Sequence, residues 1–171
     1  MISLAAGAGV AGLAYALWPK SKFSAAMVVS PFDKKKYMGT WHEIARIPNM
    51  LQKNLRDVTE EYRMTESGSI QVTTRAYHTE KNKPVALTGK MKFSGLQKTG
   101  KLKVAYFLPI YMDYNILSID DEYKYALVAG NDFDHLWILS RDTNIPEDIK
   151  TTFLEKATSL GFNVQHLKWM S

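Results

Sequence analysis

The sequence contains no cysteine, and this absence removes several kinds of chemistry at once. The fold can have no disulfide bond, and the chain offers no thiol nucleophile and no thiolate ligand for a metal. The histidines do not compensate, because they are scattered without the i, i+4 or paired spacing of a metal site. We therefore expect no metal and no cofactor; the histidines concerned are His42, His78, His135 and His166.

Other catalytic signatures are also missing. Ser140 is not in a Gly-x-Ser-x-Gly context, and no glycine-rich phosphate loop is present. Glu43 and Glu60 lie on neighbouring predicted strands, where they would form a carboxylate pair with shifted pKa values. The alternative is that they serve only as a polar anchor, or that one of them faces outward. The favoured interpretation is a protein that is not an enzyme.

Length and composition indicate one domain with a sizeable core. The chain has 171 residues, of which 46% are hydrophobic and 12% aromatic. Its net charge of +5 favours an anionic partner. The lysines lie near the N-terminus and in turns rather than on an arginine-rich helix, so we expect an anionic membrane surface and no nucleic acid.

The first eighteen residues form an apolar segment. Ile2 to Trp18 carries no charge and is closed by Pro19-Lys20-Ser21-Lys22, at the lower length limit for crossing a bilayer. Ala14-Tyr15-Ala16 has the form of a signal-peptide cleavage site, yet no Lys or Arg precedes the run. Residues 1–18 are thus predicted to be a signal or a membrane anchor, followed by an irregular linker over 19–31 and the folded domain over 32–171.

The stretch from Tyr37 to Pro48, YMGTWHEIARIP, contains a predicted first strand from Thr40 to Ile47. Alternation places Trp41, Glu43 and Ala45 on one face, a mixture that suits the inner wall of a ligand-holding barrel. Its Gly-x-Trp closely resembles the signature of the lipocalins. Its continuation Glu-Ile-Ala-Arg resembles the bacterial outer-membrane lipocalin and apolipoprotein D branch.

A second match lies near the C-terminus, in Leu136 to Arg141. In lipocalins an arginine at the end of the last barrel strand lies across the signature tryptophan at the closed end. The resemblance therefore implies structural roles for Gly39, Trp41 and Arg141. Asp120 to Tyr123 stands where lipocalins have a Thr-Asp-Tyr turn, of which only the acidic residue and the tyrosine remain.

Seven more short strands follow the first, separated by turn residues. Eight antiparallel strands predict an all-β, up-and-down barrel, the lipocalin calyx. Proline and acidic residues from Ile145 open a helix that ends at Gly161, and Ile149, Phe153, Ala157 and Leu160 form an apolar stripe for packing on the barrel's outside. Phe162 to Trp169 is predicted as a ninth strand. The other strands are predicted at Val58–Thr65, Ser69–Thr79, Val85–Phe93, Lys101–Phe107, Tyr114–Ile119, Tyr123–Ala129 and His135–Arg141.

The predicted pocket combines apolar walls with a few polar groups. Counting by twos from Trp41 and Arg141 gives the inward residues of the first and last strands, and the family pattern suggests the others. No inward lysine or arginine is identified in this way. The predicted ligand-binding residues are Glu43, Ala45, Glu60, Tyr62, Val72, Thr74, Leu87, Val104, Tyr106, Tyr125, Leu127, Trp137 and Leu139.

This pattern predicts a carrier or store for a fatty acid or lysophospholipid. The resemblance implies that the protein is associated with the cell envelope, at the outer membrane or in the periplasm. The lipid-modified cysteine typical of the bacterial members is missing, so membrane association would depend on the N-terminal apolar run. Two alternatives remain: an enzyme on the same barrel, or an interaction module with a collapsed barrel that docks through the apolar loop Phe107–Met112. A homodimer also remains open.

Overall fold

The chain forms a closed antiparallel β-barrel. The computed structural model describes residues 21–96 and 98–170. Successive strands are neighbours from β2 to β8, and β1 pairs with both β8 and β2, so the sheet closes and leaves no open edge between them. The strands are β1 Gly39–Arg46, β2 Leu55–Met64, β3 Ile70–His78, β4 Lys83–Phe93, β5 Lys101–Phe107, β6 Ile110–Ile119, β7 Tyr125–Ala129, β8 Leu136–Ser140 and β9 Lys168–Trp169.

Two strands differ most from their predicted extents. Strand β6 begins at Ile110, four residues earlier than expected, because Phe107 pairs with Ile110 across a two-residue hairpin. The apolar stretch 107–112 is therefore mostly strand rather than loop. Strand β9 contains only Lys168 and Trp169, because Val164–His166 forms a 3-10 turn capped by the side chain of Asn163.

One helix packs on the outside of the barrel, as predicted. Helix α1, Lys34–Tyr37, is a single turn before β1, and helix α2 spans Glu147–Leu160. Pro146 is the N-cap of α2, and Gly161 ends the helix with φ of 100°. Phe153 and Ala157 are fully buried against the outward faces of β1, β7 and β8. This outer core is separate from the core inside the barrel.

The segment before α1 is ordered against the barrel rather than free of it. It contains a 3-10 turn at Ala25–Met27, and Phe23 is buried beside Phe133 and Phe162, with ring centroids 5.4 and 5.5 Å away. Val29 N–H donates to Ile116 O at 2.8 Å, where β5 and β6 separate. The predicted apolar run, residues 1–18, lies outside the described residues.

Two β-bulges decide which side chains enter the barrel. In β1 the register shifts between Glu43 and Ala45, so Ala45 joins the outer core and Arg46 turns inward. The prediction that Ala45 faces inward is therefore wrong. The inward placement of Tyr125 and Leu127 is also wrong, because both pack with the outer core. A shift in the pairing of β6 with β7, between Ile116 and Ser118, accompanies this change of face.

Candidate functional site

The closed end of the barrel is sealed by Trp41 and Arg141. The guanidinium carbon of Arg141 lies 3.9 Å from the indole centroid, the contact that the family resemblance implied. Its nitrogens donate to the carbonyls of Thr40, Lys36 and Tyr123 at 2.9, 2.9 and 3.1 Å. The Arg141 guanidinium thus connects α1, β1 and the turn that leads into β7.

Gly39 is required at this seal for two reasons. Its φ of 100° lies in the left-handed region, which disfavours other residues. A Cβ atom there would also lie 3.1 Å from Arg141 Nη1. A side chain at this position would strain the backbone and press on the guanidinium.

Above the seal, a layer of tyrosines forms the solid floor of the interior. Tyr37, Tyr62 and Tyr114 are 1%, 1% and 7% exposed, and Val72 and Leu102 fill the space around them. The hydroxyl of Tyr114 lies 2.6 Å from that of Tyr37 and 2.8 Å from that of Tyr62. Burial raises the pKa of all three phenols far above the ordinary value, so they remain neutral hydrogen-bonding groups.

Solvent reaches the upper half of the interior. Glu60, Thr74, Tyr106 and Trp137 face inward from β2, β3, β5 and β8, yet each is only half-buried. The hydroxyl groups of Thr74 on β3 and Tyr106 on β5 lie 2.7 Å apart, although β4 lies between these two strands. Leu87, which pairs with Thr74, is 40% exposed. The barrel therefore has a filled lower half and an accessible upper half.

Glu60 lies where the floor meets the accessible space. Its Oε2 accepts a hydrogen bond from the hydroxyl of Tyr62. Since that proton is committed to Glu60, Tyr114 must donate to Tyr62, and Tyr37 to Tyr114. Burial raises the pKa of Glu60 to about 7; the Tyr62 bond opposes the shift and the negative charge of Glu43 adds to it. Glu43 thus influences the carboxyl group of Glu60 through its charge, although it is the smallest of the three influences.

Glu43 belongs to a second network that fixes the β1–β2 loop across the mouth. Its carboxylate pairs with Arg46, and both side chains are almost completely buried. Arg46 Nη2 donates to the carbonyls of Gln52 and Leu55 at 2.7 and 2.6 Å. Gln52 also bridges Glu43 to Trp137, with an indole bond of 2.8 Å. Burial raises the pKa of Glu43, while Arg46 and Gln52 act in the opposite direction.

Most of the predicted pocket residues share the barrel interior. Tyr62, Val72 and Val104 belong to the filled half, and Leu139 is buried beside them. Sequence reasoning missed Arg46 and Gln52, and also the inward-facing Met112, Tyr114, Ala126 and Val128. The i, i+3 spacing of Glu43 and Arg46 is the signal that would have found Arg46, because two strand residues of opposite parity pair directly only across a bulge.

The rim around the mouth is unusually apolar. Met50 and Leu51 in the β1–β2 loop are 95% and 79% exposed, and Phe107 and Leu108 at the β5–β6 hairpin are 68% and 60% exposed. A groove of about 570 Å³ lies at the rim, between the β1–β2 and β7–β8 loops. It is lined by Pro48, Asn49, Met50, Leu51, Lys53, Asp134 and His135, none of which was predicted as a pocket residue.

The described part of the chain has neither a metal-binding cluster nor a membrane-spanning helix. Residues 21–96 and 98–170 contain no group of three His, Asp or Glu side chains arranged to hold a metal ion. Within the same ranges, no helix has the length and apolar character needed to span a membrane.

Comparison with known proteins identifies the family. A family profile described as a lipocalin-like domain matches residues 32–171. Outer membrane lipoprotein Blc of Escherichia coli K12 is 36% identical over 170 residues, covering 99% of this chain and 96% of that protein. The protein of the same name from Citrobacter freundii is 41% identical, covering 84% and 81%.

More distant relatives extend the same relationship. Mouse apolipoprotein D is 31% identical, with coverage of 80% of this chain and 75% of its own. The structure of insecticyanin from the tobacco hornworm Manduca sexta shares the fold, with a TM-score of 0.72 at 16% identity and coverage of 89% and 87%. The Blc relatives confirm the predicted membrane-associated location in the cell envelope. The chain belongs to the lipocalin family, in the branch that includes Blc and apolipoprotein D.

Proposed function

We propose that this protein carries or stores a single-chain amphiphile, a fatty acid or a lysophospholipid, without changing it chemically. The supporting observation is the division of the barrel, in which inward-facing side chains are half-buried above a floor of fully buried ones. Thr74, Tyr106, Leu87 and Trp137 would form the wall around the acyl chain. Such a lining, apolar with a few polar groups, is typical of lipid pockets.

The head group of the ligand would remain at the mouth. Arg46 faces inward, contrary to the expectation of no inward cation, but its guanidinium already pairs with Glu43 and two backbone carbonyls. A carboxylate drawn to the floor would thus lose its hydration beside Glu60 without a free cation to replace the water. At the rim, Lys53, Lys81 and Lys83 can meet a carboxylate or a phosphate.

The test is a series of saturated fatty acids and lysophospholipids of increasing chain length. Affinity should increase by roughly 0.8 kcal/mol per buried methylene until the accessible half is filled, and should then remain constant. Displacement of a fluorescent fatty-acid probe measures this. Equal affinity at all lengths, or no binding at any length, would rule out the carrier function. Double-chain phospholipids should bind less tightly, because a barrel of eight strands has room for one chain.

One observation favours a second candidate, an interaction module that docks through its rim. Phe107, Leu108 and Ile110 are 68%, 60% and 51% exposed at one hairpin, which is unusual for a surface turn. Failure of the chain-length series, combined with loss of partner or membrane binding in a Phe107→Ser variant, would favour this candidate over the carrier.

A further inference from the structure

The carboxyl group of Glu60 has one oxygen without a hydrogen-bond partner in the described part of the protein. Oε2 is bonded to Tyr62, whereas Oε1 receives no hydrogen bond from residues 21–96 or 98–170. Glu60 faces the interior and is half-buried, and Oε1 is not among the fully buried unpaired atoms, so this oxygen is reached from the accessible upper half of the barrel. It is an acceptor presented to the pocket.

The groups around Glu60 do not supply a positive charge. Its own strand contributes Tyr62, β1 contributes Glu43, β5 contributes Tyr106, and Tyr37 and Tyr114 approach from α1 and β6. Arg46, the inward cation on β1, is held by Glu43 and by carbonyls of the β1–β2 loop. Among the described residues, the ionised form of Glu60 thus has hydroxyl neighbours and a second negative charge, but no counter-ion of its own.

We propose that Glu60 Oε1 recognises a hydrogen-bond donor, a hydroxyl or an ammonium group, at the leading end of an amphiphile that enters the barrel chain first. This inference rests on the proposed carrier function and adds a selectivity to it. The barrel would accept plain chains, which end in a methyl group, but it would prefer chains whose inner end carries a hydrogen-bond donor at the depth of Glu60.

The preference follows from what each chain end does to the carboxyl group. A methyl end excludes water from Oε1 and offers no bond in return, so Glu60 must be protonated when such a chain binds. A hydroxyl end donates to the ionised carboxylate, and an ammonium end also neutralises its charge. The binding of plain chains should thus take up a proton, whereas the binding of donor-bearing chains should not.

This difference gives the two ligand classes different pH profiles. Because Glu60 is protonated below and ionised above its pKa of about 7, the affinity for a plain chain should fall as pH rises above that value, by up to about tenfold per pH unit. The affinity for an ω-amino chain should instead rise as pH increases toward that value and then level off, because this ligand needs the ionised carboxylate. An ω-hydroxy chain should show the smallest dependence.

The experiment uses three matched ligands that differ only at the inner end: an alkanoic acid, its ω-hydroxy acid and its ω-amino acid. Because the depth of Glu60 below the mouth sets the optimal length, each set is tested over roughly eight to sixteen carbons, by probe displacement at pH 6 and pH 8. At pH 8 the wild type should bind the best ω-hydroxy or ω-amino acid roughly ten to a hundred times more tightly than Glu60→Leu binds it.

Two further variants make the result specific to this carboxylate. Glu60→Gln keeps the shape of the side chain, and it should abolish both the ω-amino preference and the pH dependence of plain-chain binding. Glu61→Gln is the matched control, because Glu61 is the next residue on the outer face, where it pairs with Arg63 and Arg75. It should bind all three ligands as the wild type does, and thermal unfolding verifies the fold of each variant.

The outcomes separate this inference from the proposed function. If alkanoic acids bind with the expected chain-length dependence, but donor-bearing acids gain nothing and Glu60→Gln keeps the wild-type pH profile, the recognition role of Glu60 is wrong and the carrier function stands. If no alkanoic acid binds at any length, the carrier function itself fails. Should Glu60→Leu not fold, the pH profiles of wild type and Glu60→Gln decide.

Discussion

Replacing Arg141 by alanine should destabilise the barrel by roughly 2 to 3 kcal/mol, although the residue lies at one edge of the fold. The side chain makes three charge-assisted hydrogen bonds to carbonyls of Thr40, Lys36 and Tyr123 and stacks on Trp41 at 3.9 Å. Water can reach the released carbonyls, so each bond contributes about 0.5 kcal/mol rather than its full charge-assisted value. The indole contact contributes about 1 kcal/mol more.

Urea denaturation followed by tryptophan fluorescence and by circular dichroism measures this effect. Arg141→Lys should restore little of the loss, because an ammonium cannot donate in three directions while lying flat on an indole. Arg63→Ala is the control, since Arg63 is 70% exposed and pairs only with a surface carboxylate. If Arg141→Ala remained within about 0.5 kcal/mol of the wild type, or Arg141→Lys matched the wild type, the role of the forked guanidinium would be refuted.

Further measurements test the other parts of the structure. Trp41→Ala should cost roughly 3 to 5 kcal/mol in urea unfolding because it leaves a cavity under Arg141, while ligand affinity changes less; loss of binding with unchanged stability would contradict this assignment. Arg46→Ala should cost roughly 3 to 5 kcal/mol because it leaves the buried Glu43 unpaired, and stability equal to that of the wild type would contradict the pair. Glu60→Gln should remove a pH dependence of stability, because the folded pKa of about 7 exceeds the unfolded value. The wild type should therefore gain stability relative to the variant as pH falls from 8 to 5, by at most roughly 2 to 3 kcal/mol. Parallel stability curves for the two proteins over this pH range would refute this. A chain that begins at residue 21 should melt like the full chain and no longer sediment with membranes, whereas one that begins at residue 31 should be less stable, because it lacks the buried Phe23 and Val28.

The order of the strands could be predicted because several local signals agree. Alternation, turn residues and the Gly39-x-Trp41 signature all place short strands in a meander, and closure then follows from the need to cover sheet edges. Gly161 similarly marks the end of α2, where φ is 100°. These features depend on neighbours in sequence, which a single sequence contains.

The side of the sheet to which each side chain points could not be predicted with the same success. Alternation between the two faces holds only while a strand is regular. A single bulge after Glu43 reverses Ala45 and Arg46, and the i, i+3 spacing of Glu43 and Arg46 is its one mark in the sequence. In β7 both faces are apolar, since one covers the interior and the other packs toward the outer core. Alternation is therefore uninformative in β7, and only its pairing with β8 shows that Ala126, opposite Leu139, is the inward residue.

The described chain begins beside the mouth of the barrel, which affects how a lipid could enter it. Lys22 N–H donates to Asn131 O at 2.9 Å, in the β7–β8 loop, which lies at the same end of the barrel as the mouth. If residues 1–18 hold the protein at a bilayer, only two residues join them to residue 21, and this tether can reach at most about 11 Å. So short a tether, attached beside the mouth, would keep the entrance close to the lipid surface. A lipid could then pass between membrane and barrel without diffusing through bulk water, so exchange would depend on orientation at the surface rather than on the solubility of the lipid.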